Sequence, residues 1–163
     1  MPASPHAIEI KSYVPGALGW ITQLHGSYYS QHWGLTIAFE LEIAEGLAHF
    51  LRHFQPSRDG LWIATADDQI VGAIAVNGSQ AEGSRLRWFI VSPEHQGSGI
   101  GRKLLQTALD FCQAAQVQRI YLRTFAGLTA ARRLYEEFGF VLVEEYQDDD
   151  WGVPLTHQKF QRN

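Results

Sequence analysis

Cysteine is almost missing from this chain: Cys112 is the only one among 163 residues. A lone thiol forms no intrachain disulfide and cannot build a thiolate zinc cluster, and a cytoplasmic protein is the default expectation. Positive charge is scarce as well. The formal charge is −4, and no basic run exists to neutralise a nucleic-acid backbone, so no nucleic-acid partner is expected. That balance still leaves room for a phosphate-bearing small molecule, which needs only a local cradle of backbone donors. No apolar stretch approaches the ~18 residues of a membrane span, and the N-terminus lacks the succession of basic, apolar and small residues that marks a signal peptide. A membrane partner is therefore not expected. Repeats, low-complexity tracts and Pro/Gly/Ser-rich linkers are absent too, which predicts one domain over residues 1–163. What is present is an ordinary globular composition, 45% apolar and 18% charged, long enough to close a core.

Along the chain, Ala7 to Val14 alternates weakly and predicts a strand ended by Pro15-Gly16. Leu18 to Trp33 is helical in pattern, interrupted by Gly26 and crowded with aromatics. Ile37, Leu41, Ala44, Leu47, Ala48, Leu51 and Phe54 fall on one helical face, closed by Pro56 and Gly60. The period then changes. Leu61–Ala64 and Ile70–Val76 flank Asp67-Asp68 and predict a hairpin. Leu86–Val91 predicts a strand whose nearly continuous apolar end suits burial on both faces. Ile100 to Cys112 is an amphipathic helix, Arg119–Thr124 a strand, Thr129–Phe138 a helix stopped by Gly139, and Phe140–Tyr146 and Leu155–Phe160 closing strands. This order predicts an α/β sandwich, of the α+β kind, with a mixed sheet.

The densest chemical signal lies between Val91 and Gly101, read Val-Ser-Pro-Glu-His-Gln-Gly-Ser-Gly-Ile-Gly. A strand enters a loop with glycines at 97, 99 and 101, and a helix begins inside the loop. Glycines let backbone N–H groups approach a ligand, and the first turn of a helix carries partial positive charge that suits a pyrophosphate. Arg102 and Lys103 follow and add charge. Glycines alone are equally well explained by a flexible strand-to-helix turn. A nucleotide P-loop requires Gly-Lys-Ser/Thr, and a dinucleotide fingerprint requires G-x-G-x-x-G; neither is present.

Gln96-x-x-Gly99-x-Gly101, after a strand ending Val91-Ser-Pro93, resembles the pyrophosphate loop of the GNAT N-acetyltransferase superfamily. Ala131-Arg-Arg-Leu-Tyr-Glu-Glu-Phe-Gly-Phe140 resembles the second signature of that family. Leu86–Val91, Phe111-Cys112, Tyr121–Phe125, Trp151-Gly152, His157-Gln158, Gly19–Gly26 and Phe39-Glu40 further resemble the acetyltransferase half of bacterial proteins that fuse a MarR-type domain to a GNAT domain. The resemblance implies a mostly antiparallel sheet of six to seven strands flanked by about four helices. It also implies acetyl-CoA as co-substrate and transfer of its acetyl group to the amine of a small molecule; an acyl-CoA-sensing module without turnover, and a protein amine as the acceptor, stay open as alternatives. Phe89, Ile90 and Val91 are expected to pair with the pantetheine arm, and an N–H near Val91 to polarise the thioester carbonyl. Gln96, Gly97, Ser98, Gly99, Ile100, Gly101, Arg102 and Lys103 are expected to cradle the pyrophosphate. Tyr135 takes the place of the general acid for the departing thiolate, although spacing alone reads it as a core tyrosine. Leu128 stands where many relatives carry an Asn that binds the cofactor arm, so Thr124 or Thr129 is the expected substitute. A homodimer stays open.

The family does not fix the acceptor side. Glu40 is the expected general base, with Glu42 beside it, and a solvated helix glutamate is the plainer account of either. His25, Tyr28, Tyr29, Trp33 and Trp88, with Trp151, are expected around an aromatic acceptor pocket, or else in the core. His49 and His53 stand four apart on a helix, but residue 50 is Phe and no third ligand is evident, so no metal is expected.

Overall fold

Seven strands form one sheet in the order β1-β2-β3-β4-β5-β7-β6, and the computed structural model describes residues 7–163 of the chain. The elements are β1 (Ile8–Lys11), α1 (Ala17–Trp33), α2 (Ile37–Arg52), β2 (Gly60–Ala66), β3 (Gln69–Asn77), β4 (Ser84–Val91), α3 (Ile100–Ala114), β5 (Ile120–Phe125), α4 (Thr129–Glu137), β6 (Val141–Asp148) and β7 (Leu155–Arg162). Every neighbouring pair is antiparallel except β4 with β5. The hairpin of β2 and β3 turns on Asp67 and Asp68 with φ of 50° and 62°. Both central residues of that turn are left-handed, a conformation that matches strand twist and that Asp tolerates. No helix among the described residues is long and apolar enough to cross a membrane.

Two cores cover the two faces of the sheet. On one, Leu104, Leu105, Ala108 and Cys112 of α3 meet Ile74, Val76, Leu86, Leu122 and Phe160. On the other, Ala17 and Ile21 of α1 and Leu47 and Phe50 of α2 meet Ile63, Ala73, Ala75 and Trp88. A third, smaller cluster joins Leu35, Phe39 and Phe125 with Tyr29, Trp33 and Trp151 at the end of the sheet.

Three sequence expectations need revision. The first strand covers only four residues, and β4 begins at Ser84 rather than Leu86. Gly26 does not interrupt its helix: α1 runs through it, because α2 crosses there so closely that a Cβ on Gly26 would stand 2.1 Å from Glu40 Oε1. Helix propensity is lost at that glycine and helix packing regains it. The end of β4 is apolar and covered on both faces, Trp88 packing in the α1–α2 core and Phe89 and Val91 against the α3 core, with buried and half-buried residues alternating along the strand.

The alternation in β4 conceals a bulge. Trp88 has φ of 49°, and the register against β3 slips between Ala73 and Ala75. An extra residue bends a strand and re-aims its side chains. Leu86 therefore serves the α3 core and Trp88 the opposite one, while Phe89 and Val91 return to the α3 side. Pairing of β4 with β5 covers only Ser84–Leu86 against Ile120–Leu122, and past the bulge the two strands separate.

The wall of α1 beside this opening contains His25, which is buried among Tyr29 and Phe39 with Nδ1 at 2.7 Å from the Ile21 carbonyl oxygen. Only a protonated Nδ1 can donate there, so Nε2 carries the lone pair. Burial holds the imidazole down at about 4 from the ordinary 6.5, with the Ile21 hydrogen bond opposing the shift. Between these values the unfolded chain binds a proton that the folded chain refuses. Stability is thus complete above the unfolded value and is lost as pH falls through the window. The expected loss is about 3 kcal/mol by pH 4. Urea unfolding at pH 7 and pH 4 measures it, and the difference should shrink by that amount in His25→Gln.

Candidate active site

The separation of β4 from β5 opens a cleft of about 700 Å³. Its walls come from α1 and α2 on one side, from Arg85–Val91 and Leu122–Phe125 along the two strands, and from Leu128–Ala131, Leu134 and Tyr135 of the α4 region. Ser92 N–H donates to Val71 O of β3. Strand alternation then turns the N–H and C=O of Val91 the other way, into the gap. Gln96 Nε2 reaches that same Val91 carbonyl at 3.2 Å. Phe89, Ile90 and Val91 all line the cleft, and the edge of β4 there is free to pair with an extended ligand.

At the end of β4 the chain passes through Pro93–His95 and enters α3 through Gly97 and Gly99, with φ of 80° and 88°. These left-handed values favour glycine, and a Cβ on either residue would stand in open space. The first main-chain bond into the helix runs from Lys103 N–H to Gly99 O, and the N–H groups of residues 97–102 donate to no described residue. The loop therefore offers a row of free donors at a positive helix terminus. Side chains contribute less than the sequence led one to expect. Gln96, Gly97 and Gly101 line the cleft, while Ser98, Gly99, Ile100, Arg102 and Lys103 do not. Ile100 is buried in the core, Ser98 Oγ donates to His95 O, Arg102 pairs with Glu137, and Lys103 Nζ donates to Ile8 O at 3.3 Å. What this segment presents is main chain.

Tyr135 projects from α4 into the floor, with its ring 6.2 Å from those of Phe89, Phe140 and Phe160. It belongs to the core cluster and lines the cleft at once. Its hydroxyl has no hydrogen-bond partner among the described residues. Burial pushes the phenol well above its ordinary range, with Tyr29 adding to the shift, so the group keeps its proton near neutrality. Leu128, Thr124 and Thr129 all line this stretch.

The far end is aromatic: His25, Tyr28, Tyr29 and Trp33 line it together with His32, Phe39 and Trp151. Burial raises the Tyr29 phenol to about 12, with Tyr28 adding to it. Two expectations are corrected. Glu40 does not line the cleft; it lies over Gly26 at the α1–α2 crossing. Glu42 does line it, and accepts a hydrogen bond from Trp151 Nε1 at 2.5 Å. Two residues along a helix rotate a side chain by about 200°, which hydrophobic spacing alone did not resolve. Trp88 reaches the cleft, but its ring is buried against Phe50, 5.3 Å between centroids. It acts through the bulge rather than as an acceptor wall. Arg85, Arg87 and Arg123 also line the cleft and were missed. The Arg-x-Arg alternation inside a strand was the available signal. His49 and His53 stack 4.2 Å apart on the exposed side of α2.

Known proteins share this fold. Residues 22–140 match the model of the acetyltransferase (GNAT) family. Over 115 residues the chain is 28% identical to N-acetylaspartate synthetase of Danio rerio, covering 70% of this chain and 40% of that protein. Over 63 residues it is 44% identical to spermidine N(1)-acetyltransferase of Vibrio cholerae, covering 36% of each. The chain thus spans less than half the length of these curated relatives. Among solved structures, yncA of Salmonella typhimurium, crystallised with its cofactor acetyl-CoA, superposes with a TM-score of 0.75 at 18% identity, covering 96% of this chain and 94% of that one. A GNAT-family acetyltransferase of Staphylococcus aureus Mu50 gives 0.76 at 21%, covering 96% and 99%. With the family model spanning well over half of its residues, a mixed sheet split at β4 and β5, and a glycine turn at the head of α3, the chain belongs to the acetyltransferase (GNAT) family.

Proposed function

We propose that this protein transfers the acetyl group of acetyl-CoA to the primary amine of a small molecule by direct attack on the thioester. One observation carries this reading: a single cleft joins a row of free main-chain donors at the head of α3 to a buried, protonated phenol on α4. The open space beside Gly97 and Gly99 fits a diphosphate, and the free edge at Val91 fits an extended amide arm. Bound acetyl-CoA supplies the activated acyl group.

The chain's own residues do the rest. Val91 N–H faces the gap and offers a donor to a carbonyl oxygen on which negative charge develops. The Tyr135 hydroxyl, held protonated by burial, donates to the departing thiolate. Glu42, the one carboxylate on the wall, takes the proton of the amine. The relatives named for N-acetylaspartate and spermidine point to amines of opposite charge, so kinship supports an amine acceptor without fixing its class. Kinship to the acetyltransferase half of MarR–GNAT fusions rests on the sequence stretches quoted above.

Calorimetry with acetyl-CoA, followed by a thiol-release assay over an amine panel, tests the proposal; a protein that ignores coenzyme A at millimolar concentration sinks it. Tyr135→Phe is expected to lower kcat on the order of 10²-fold with acetyl-CoA affinity nearly kept. An unchanged kcat would assign the proton to another donor. Glu42→Gln is expected to lower kcat/KM at neutral pH by about 10- to 100-fold and to recover part of that loss as pH rises and the amine deprotonates unaided. A pH profile parallel to wild type would place the base elsewhere. Gly99→Val should remove acetyl-CoA binding, because it strains a left-handed residue and fills the space beside the free donors. Titration calorimetry reads that loss directly, and circular dichroism checks that the variant still folds.

A further inference from the structure

The acceptor end of the cleft is electrically lopsided. Three arginines, Arg85, Arg87 and Arg123, face a single carboxylate, Glu42. Arg123 already pairs with Glu82 at 3.5 Å. Arg85 and Arg87 make no ion pair and no side-chain hydrogen bond with any described residue, and Arg85 Nε is fully buried without a partner. Buried polar groups are rarely left unpaired, and an unpaired buried charge is costlier still. The cost is visible in both side chains. Burial, first of all, pulls the two guanidinium groups below their ordinary range, Arg87 to about 10 with Arg85 adding repulsion. Both nevertheless stay charged near neutrality.

These are held groups rather than loose surface charges. The Arg87 guanidinium lies 4.2 Å over the Trp88 ring. Helix α2 passes close by at Gly46, where a Cβ would stand 3.2 Å from Arg87 Nη2 and 3.4 Å from Trp88 Cζ2. Arg85 and Arg87 also lie toward the opposite end of β4 from the donor loop. Six residues separate Arg85 from Val91, roughly 20 Å of extended strand. Phosphates seated at the head of α3 do not reach them.

We infer that the acceptor carries a carboxylate beside its amine, as an amino acid does, and that Arg85 and Arg87 bind this carboxylate while Glu42 meets the ammonium. The inference rests on the acetyl-transfer reading and names its substrate class. A planar guanidinium matches a carboxylate through paired N–H donors, and two such groups on one wall fix its direction. An anion bound between the two cations relieves their mutual repulsion. A linear polyamine would set further ammonium groups against the same wall, and like charges reject it.

The test is a matched panel: glycine, β-alanine and aspartate, the carboxamides of each, and spermidine, at saturating acetyl-CoA. The carboxylates should exceed their carboxamides and spermidine in kcat/KM by about 10- to 100-fold. Arg85→Gln and Arg87→Gln should each erase most of that preference through the acceptor KM, with acetyl-CoA affinity and thermal midpoint kept. Calorimetry of the same panel on the coenzyme A complex reads the preference without turnover. Carboxamides or spermidine used equally well, or a preference that survives both variants, overturns the inference and leaves acetyl transfer standing. Absence of coenzyme A binding by the wild type overturns the underlying reading instead.

Discussion

The strand β4 cannot remain paired with β5 past Leu86, and the rest of the site depends on that constraint. Trp88 sits at φ of 49°, a value a bulky residue adopts only when its surroundings insist. The surroundings are its own ring, buried against Phe50 in the α1–α2 core. Burial of an indole is worth several times the cost of one strained residue, so the bulge is stable. Its consequence is geometric. Beyond it, main-chain groups that would have bonded β5 are left facing a gap, and a sheet with no free edge at its centre acquires one.

The gap would be useless if water filled it on equal terms from every side. Its α1–α2 end is walled instead by aromatic faces: Tyr29 against Phe39 at 5.4 Å, Trp33 against Phe125 at 5.1 Å and Phe39 against Trp151 at 4.8 Å. In such a setting, burial shifts ionisable groups toward their neutral forms. His25 stays unprotonated while Tyr29 and Tyr135 stay protonated, burial being the leading cause each time. Phenols that keep their protons near neutrality follow from the same packing. The core and the cleft are one construction here, since Tyr135 belongs to both.

How much of this was legible in the sequence differs sharply from one end of the cleft to the other. The hairpin at Asp67-Asp68, the amphipathic α3 and the glycine turn before it were all readable, because each is written in local periodicity or in residues that a backbone angle demands. Gly26 misled, because a glycine inside a helix signals a break locally and a close helix crossing only in three dimensions. Glu40 and Glu42 could not be told apart, since both precede the same apolar face and the choice depends on how α2 rotates against Trp151. Trp88 carried no sign of its φ. Arg85 fell outside the strand read from the sequence and Arg87 was not singled out within it, and only the separation of β5 turns their side of β4 into the wall of a cleft.

This contrast has a physical source. The proposed donor end recognises its ligand with main chain, so its needs are conformational: glycines at fixed positions, a helix start, a free strand edge. Such needs restrict residue identity and leave a pattern. The proposed acceptor end recognises its ligand with side chains gathered from α1, α2, β4, β5 and the segment around Trp151, none of them adjacent in the chain. No spacing rule binds these residues, because each element can exchange its contribution without disturbing the others. The same division lets the α3 end serve one donor while the charge on the β4 wall changes independently. Unpaired arginines are therefore more informative about the acceptor than the fold is. The fold is satisfied by any residue that fits a half-buried strand, whereas two half-buried arginines without an ion pair are, on the reading proposed above, met by a ligand of opposite sign.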